Sequence, residues 1–152
     1  MKSQKIANNA GSESGVLILD PGEEAFAALT NFANELRITA ASLTAIGAFE
    51  KAIIGWFDFG KQTYKKIEVG EQCDLSAIGD IAIGDDGKAS LHVHVGLSLS
   101  DGTTRGVHLL AGTVRPTLEV IMIDAPAHLR RKKKPDIGIA LIDLESASRL
   151  AS

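Results

Sequence analysis

The chain has 152 residues, of which 45% are hydrophobic and 23% are charged, and its formal net charge at pH 7 is -3. This length and composition are typical of one soluble globular domain that can bury a core without disulfides. The mild negative charge excludes a surface that is basic throughout, and the single cysteine, Cys73, excludes an internal disulfide framework.

The sequence predicts a cytoplasmic protein. The N-terminus has a basic start but lacks the apolar run of a signal peptide, and no uninterrupted apolar stretch is long enough to predict a membrane span. A lone cysteine suits a reducing compartment. We expect a flexible N-terminus over 1–14, a single domain over 15–147 and a C-terminal tail over 148–152.

The first predicted elements are a short strand and the clearest helix of the chain. Residues 16–20 form an apolar run that predicts the strand. Apolar residues recur at helical spacing over 21–37, with Asp20 as the predicted N-cap and Pro21 at the first helical position. The predicted apolar face of the helix consists of Phe26, Leu29, Phe32, Ala33 and Leu36.

After the helix, the pattern favours strands. They are predicted over 41–58, 63–69 and 73–83, twice within 89–110, and over 117–124 and 137–144. Gly47 and Gly55 would mark bends or close backbone contacts, residues 85–87 predict a turn, and 129–136 predicts a basic loop. One helix, about seven strands and no regular strand–helix alternation predict an α+β domain with a mixed, largely antiparallel sheet.

Three of the four histidines lie within residues 89–110. Apolar and polar residues alternate strictly along 91–100, so His92 and His94 share the polar face of a strand. Their backbones would be roughly 7 Å apart, at twice the rise per residue of a strand. Two imidazoles at this spacing can converge on one ion.

The position of His108 depends on the register of the predicted hairpin. A three-residue loop over 101–103 places His108 opposite Gly96, on the same face as His94 and diagonal to it. A two-residue loop would pair His108 with Val95, among apolar side chains, so the hydrophobic pattern favours the first register. The three imidazoles would then suit zinc or another transition metal. Polar side chains on a solvated face, with no metal, are the alternative.

Two isolated charged residues are weaker candidates for a catalytic role. Glu119 lies in an apolar strand, where it could orient a ligating histidine, act as a general base, or occupy a sheet edge or an interface. Arg105 precedes the strand of His108 and could bind an anionic ligand or be a loop charge.

The only basic cluster is a run of five residues: Arg130, Arg131, Lys132, Lys133 and Lys134. Such a run could contact the phosphates of a nucleic acid or could be a solvated loop. Neither the dinucleotide-binding nor the P-loop glycine pattern occurs in the chain, so nucleotide binding has no support.

Several motifs together resemble the plants-and-prokaryotes-conserved (PPC) domain over residues 15–145. They are G-A-F-E-K-A-I-I-G-W-F-D, L-H-V-H-V, R-G-V-H-L-L-A-G-T-V and P-T-L-E-V. The resemblance implies an α+β domain that assembles as a homotrimer. It also implies a histidine cluster that binds a metal such as zinc, at positions matching His92, His94 and His108.

The resemblance also implies DNA binding as an alternative role, because plant members follow AT-hook segments and act as nuclear DNA-binding regulators. This chain resembles the bare prokaryotic type, since residues 130–135 lack the R-G-R-P core of an AT-hook. Val107 stands where the family commonly has glycine, and Asp74 where an apolar residue is common. We therefore expect a trimeric protein whose three-histidine metal site binds or transforms a small ligand, with DNA binding as the alternative.

Overall fold

The computed structural model describes residues 1–7, 13–125 and 128–144, and within these ranges it contains one helix and nine strands. The predicted tail over 148–152 lies outside the described residues. In chain order the elements are β1 (Lys2–Ala7), β2 (Glu13–Leu19), α1 (Ala25–Glu35), β3 (Ala40–Asp58), β4 (Thr63–Val69), β5 (Cys73–Ile83), β6 (Ala89–Ser98), β7 (Thr104–Asp124), β8 (Arg131–Lys133) and β9 (Ala140–Ile142).

Seven strands form one sheet in the order β1-β2-β7-β6-β5-β3-β4, and all its strand pairs are antiparallel. Strand β7 also pairs with β3, so β3, β5, β6 and β7 close into a small barrel. The prediction of an α+β fold with one helix and a sheet of about seven strands is confirmed, and the sheet is antiparallel throughout rather than mixed.

Alternation along the strands sends one set of side chains into the core, and the buried residues of α1 pack in the same core. Phe49 is fully buried, and its ring packs against Gly112, where an added Cβ would lie 2.6 Å from the ring. Cys73 is also buried, and burial raises its pKa. Gly47 makes the predicted close contact, because a Cβ there would lie 2.3 Å from the carbonyl oxygen of Thr117.

The start of the helix differs from the prediction. Glu24, rather than Asp20, is the N-cap, and its carboxylate accepts hydrogen bonds from the amides of Phe26 and Ala27. The same carboxylate accepts from the amide of Gly112 in β7 at 2.9 Å, which ties the helix start to the sheet. Asp20 lies before the helix and pairs with the N-terminal amine at 3.0 Å.

Three segments have a different structure from the one that the pattern predicts. Residues 2–7, expected in a flexible N-terminus, form β1 along the edge of β2. The strands predicted within 104–124 are one continuous strand of 21 residues. The predicted basic loop contains β8, which pairs with β9 as a separate hairpin, and β9 is shorter than the predicted strand over 137–144. These pairings join distant residues, which local periodicity does not reveal.

The outer face of the sheet carries exposed isoleucines that we call the isoleucine face: Ile18, Ile46, Ile78, Ile121 and Ile123, which are 38% to 67% exposed. The strand register makes them neighbours. Ile46 and Ile18 flank Glu119, and Thr44 lies between Ile78 and Ile121. Nothing within the described residues covers this apolar surface.

The helix α1, the only one among the described residues, is not long and apolar enough to span a bilayer.

Candidate metal centre

The β6–β7 hairpin brings the three histidines together, in a register that differs from the predicted one. His94 lies directly opposite His108, and Gly96 lies opposite Gly106. The predicted pairing of His108 with Gly96 is therefore wrong by two residues. The predicted face is right, because a shift of two residues leaves each side chain on the same side of the sheet.

Local turn chemistry sets this register. The loop consists of residues 100–102, since the amide of Leu99 donates to the carbonyl oxygen of Thr103 at 2.8 Å. Gly102 has a φ of 81°, a backbone conformation that favours glycine at the third loop position. Asp101 accepts hydrogen bonds from both the amide and the hydroxyl of Thr103, which holds Thr103 at the start of the returning strand.

The imidazoles of His92, His94 and His108 form a compact cluster. One ligating nitrogen from each ring can be chosen so that all three lie within 4.8 Å of one another. Nε2 of His92 and Nδ1 of His108 are 3.1 Å apart, close to the roughly 3.3 Å that two nitrogens on a tetrahedral zinc ion would have. The centroids of the His94 and His108 rings are 4.2 Å apart. The arrangement therefore fits a three-nitrogen transition-metal site.

Two of these imidazoles favour the neutral form, which is the form that binds a metal. Burial, followed by the nearby His94 and His92, lowers the pKa of His108 to about 4. Burial and the Arg131 guanidinium also lower the pKa of His92. At pH 7, metal binding would not have to displace protons from these two rings.

The carboxylate of Asp80 supports the cluster from the neighbouring strand. Asp80 lies opposite His92 in the β5–β6 pair, and its Oδ2 is 3.8 Å from Nδ1 of His92. Its Oδ1 accepts a hydrogen bond from the guanidinium of Arg131, which is 5% exposed. At 3.8 Å the carboxylate lies beside the ring without a hydrogen bond to it, and Arg131 holds that carboxylate in place.

Acid is expected to destabilise the metal-free protein through His108. Its pKa is about 4 when folded and 6.5 in the reference state, so the unfolded chain binds more protons between these two pH values. The stability that His108 contributes is complete above pH 6.5 and is lost as the pH falls towards 4. Because the ring is partly exposed, we expect a loss of about 1–2 kcal/mol.

Urea unfolding at several pH values between 7 and 4, in the presence of a chelator, would measure this loss. Other groups titrate in the same range, so the comparison is with His108→Gln. In this variant the free energy of unfolding should fall by about 1–2 kcal/mol less between pH 7 and pH 4 than in wild type. Equal pH dependence in the two proteins would contradict the assignment to His108.

The other candidate residues do not join the histidines within one chain. Glu119 is exposed and lies on the isoleucine face opposite Ile46 of β3, far along β7 from His108. Arg105 is exposed opposite Leu97, so alternation directs it away from the face of His108. Neither residue contacts the cluster in the arrangement described.

The structure divides the basic run. Arg130, Lys132 and Lys133 are exposed, and Lys134 is partly buried. Arg131 is the exception, because it is buried and ion-paired with Asp80, so it does not present its charge at the surface as a phosphate-binding residue would.

Sequence reasoning missed Asp80, although a signal existed. A hairpin centred on the predicted turn at 85–87 places Asp80 opposite His92, and the structure has this pairing. Tyr64 was also missed, and its ring lies edge-on to His108 with centroids 5.3 Å apart. Tyr64 and Arg131 come from strands distant in the sequence, so no local pattern connects them with the histidines.

Comparison with known proteins identifies the family. A family model described as the Plants and Prokaryotes Conserved (PCC) domain matches residues 8–126. No curated protein matches the chain.

Solved structures with the same fold cover nearly the whole chain. A plant- and prokaryote-conserved protein from Pyrococcus horikoshii is 26% identical, with a TM-score of 0.80 and coverage of 93% of this chain and 94% of its own. A metal-containing protein from Archaeoglobus fulgidus is 31% identical, with a TM-score of 0.78 and coverage of 86% and 92%. A Ralstonia eutropha protein named a "putative DNA-binding protein" is 25% identical, with a TM-score of 0.80 and coverage of 91% and 94%.

Proposed function

Because the chain belongs to the Plants and Prokaryotes Conserved domain family, we propose that it is a trimeric protein whose three histidines bind a divalent transition metal, zinc, and that the metal binds or transforms a small ligand. The observation that carries the proposal is the convergence of His92, His94 and His108 within 4.8 Å. The similarity to a metal-containing protein at 31% identity supports it.

Each group at the site has a role in this proposal. His92, His94 and His108 would hold the metal, with Asp80 beside His92. Three imidazoles and no carboxylate ligand suit zinc, and they leave a position for an exchangeable ligand. When bound, the metal would supply Lewis-acid polarisation or an activated water.

Metal analysis of protein purified without a polyhistidine tag tests the proposal. After incubation with zinc and removal of the excess, wild type should retain one zinc ion per chain, and His92→Ala should retain very little. Loss of an outer-shell group typically costs about 10–100-fold in metal affinity, and loss of a ligand should cost more.

His128→Ala is the matched control, because His128 is the fourth histidine, lies outside the cluster and pairs with the hydroxyl of Thr39 at 2.9 Å. It should retain zinc as wild type does. Absence of zinc from both wild type and His128→Ala would refute the metal site.

The proposed trimer is supported by the isoleucine face. Large exposed apolar surfaces of this kind mark interaction sites in soluble proteins. Ile78 lies directly beside His94 across the β5–β6 pair, so a second copy packed on this face would border the histidine cluster. It would also cover Glu119, which lies between two of the isoleucines.

DNA binding is a second candidate, supported by the three exposed cations Arg130, Lys132 and Lys133 and by the similarity to the Ralstonia eutropha protein. A gel shift at low salt should detect binding that weakens as salt is added. Replacing Arg130, Lys132, Lys133 and Lys134 with glutamine should abolish it, whereas glutamine at the exposed Lys65 and Lys66 of β4 should not. Absence of a shift with wild type at low salt would exclude this function.

A further inference from the structure

A cavity of about 390 Å³ lies beside the histidine cluster. His92 and His108 form part of its wall, and Arg131 and Leu141 of the β8–β9 hairpin form another part. Its volume is at the lower end of the range for small-molecule sites, roughly 300–1,000 Å³. The cavity therefore has room for a small ligand that also reaches the histidines.

The cavity wall contains both polar and apolar side chains. Tyr64 and Arg131 offer hydrogen-bond donors near the histidines, whereas Phe57 and Leu141 are apolar. None of the described residues that line the cavity is acidic. Asp80, which neutralises part of the Arg131 charge, lines a different depression with Ile78 and His94.

Arg131 has an unsatisfied hydrogen-bond donor. Its Nε is buried and has no hydrogen-bond partner, although its Nη2 donates to Asp80. A buried donor without a partner costs about 1–3 kcal/mol, so such groups are rare unless a ligand, water or ion satisfies them. An anion in the cavity could supply the missing acceptor after a small rotation of the guanidinium.

We propose that this cavity binds a small organic carboxylate, with Arg131 recognising the carboxylate and the wall at Phe57 and Leu141 contacting a short hydrocarbon part. One cation partly neutralised by Asp80 suits a single negative charge better than a phosphate dianion. The inference rests on the proposed metal site, because a bound cation would add to the attraction for the anion and would offer it a second contact.

Isothermal titration calorimetry with butyrate and butyramide tests the charge preference, because the two molecules have nearly the same shape. Zinc-loaded wild type should bind butyrate about tenfold or more tightly than butyramide, since hydrogen bonds to charged groups are the stronger kind. Arg131→Gln should remove most of this preference. In the metal-free protein, where Arg131 is the cation at the site, inorganic phosphate should bind more weakly than butyrate, and tighter binding of phosphate would overturn the assignment to a carboxylate.

A second variant is needed, because Arg131→Gln also breaks an ion pair. Leu141→Trp should fill the cavity and abolish butyrate binding while leaving zinc binding intact. Leu36→Trp is the control, since Leu36 is also exposed, lies at the C-terminus of α1 and does not line the cavity.

The outcomes separate this inference from the metal proposal. Zinc binding without a preference for butyrate, or butyrate binding that is unchanged by Leu141→Trp, would overturn the inference and leave the metal site standing. If the protein binds no zinc, the metal proposal fails. The titrations with butyrate and butyramide, made on the metal-free protein, then decide whether the cavity binds a carboxylate. Arg131 is present there too, so a weaker preference for butyrate that depends on Arg131 would support it, and no preference would overturn it.

Discussion

Replacing Asp80 with alanine is expected to lower the free energy of unfolding by about 3–5 kcal/mol, the usual cost of leaving a buried charge without its partner. The Arg131 guanidinium would remain 5% exposed and would lose its only hydrogen-bonded carboxylate among the described residues. Urea unfolding with and without the substitution would measure the change.

Removing either partner of this ion pair should lower the free energy of unfolding by a different amount. The side chain of Asp80 is 32% exposed, so after Arg131→Met its carboxylate would still be partly hydrated. We therefore expect Arg131→Met to cost about 1–2 kcal/mol, less than Asp80→Ala, because the remaining charge is nearer to water. The double substitution should cost less than the sum of the two single ones.

Asp74→Ala is the matched control for Asp80→Ala, because Asp74 lies on the same strand and the same face but is exposed. It should change stability by less than about 0.5 kcal/mol, as surface substitutions usually do. If Asp74→Ala and Asp80→Ala destabilise the protein equally, then the burial of Arg131 is not the reason for the loss.

Replacing Ile46 with lysine is expected to convert the proposed trimer to monomers. Ile46 is 63% exposed on the isoleucine face, so the substitution leaves the core intact, but a lysine there would bury a charge wherever two copies meet. Analytical ultracentrifugation should give three times 16.0 kDa for wild type and 16.0 kDa for the variant.

Leu36→Lys is the control for Ile46→Lys, since Leu36 is 52% exposed at the C-terminus of α1 and lies outside the isoleucine face. It should leave the assembly unchanged. A monomeric wild type would refute the trimer, and a trimeric Ile46→Lys would show that the copies meet on another surface. Zinc retention by monomeric Ile46→Lys would further show that one chain suffices to hold the metal.

The amino-acid sequence by itself determined the class of fold and the shared face of the histidines. Alternating apolar residues along 91–100 assign His92 and His94 to one side of a strand, and the hydrophobic pattern puts His108 on the same side. The face that a side chain occupies depends only on the period of two residues in a strand. The predicted face of the histidines is therefore correct, although the predicted register was wrong by two residues.

Only the tertiary structure decided what surrounds the histidines. Arg131 was predicted in a basic loop with four other cations, yet it is buried against Asp80, while its neighbours in the sequence are mostly exposed. Tyr64 and Leu141 reach the same cavity from strands far apart in the chain. The periodicity of a strand shows which side of the strand a residue occupies. The residue that it contacts there depends on the pairing and packing of distant segments. For Arg131 that contact is the carboxylate of Asp80, 51 residues earlier in the sequence.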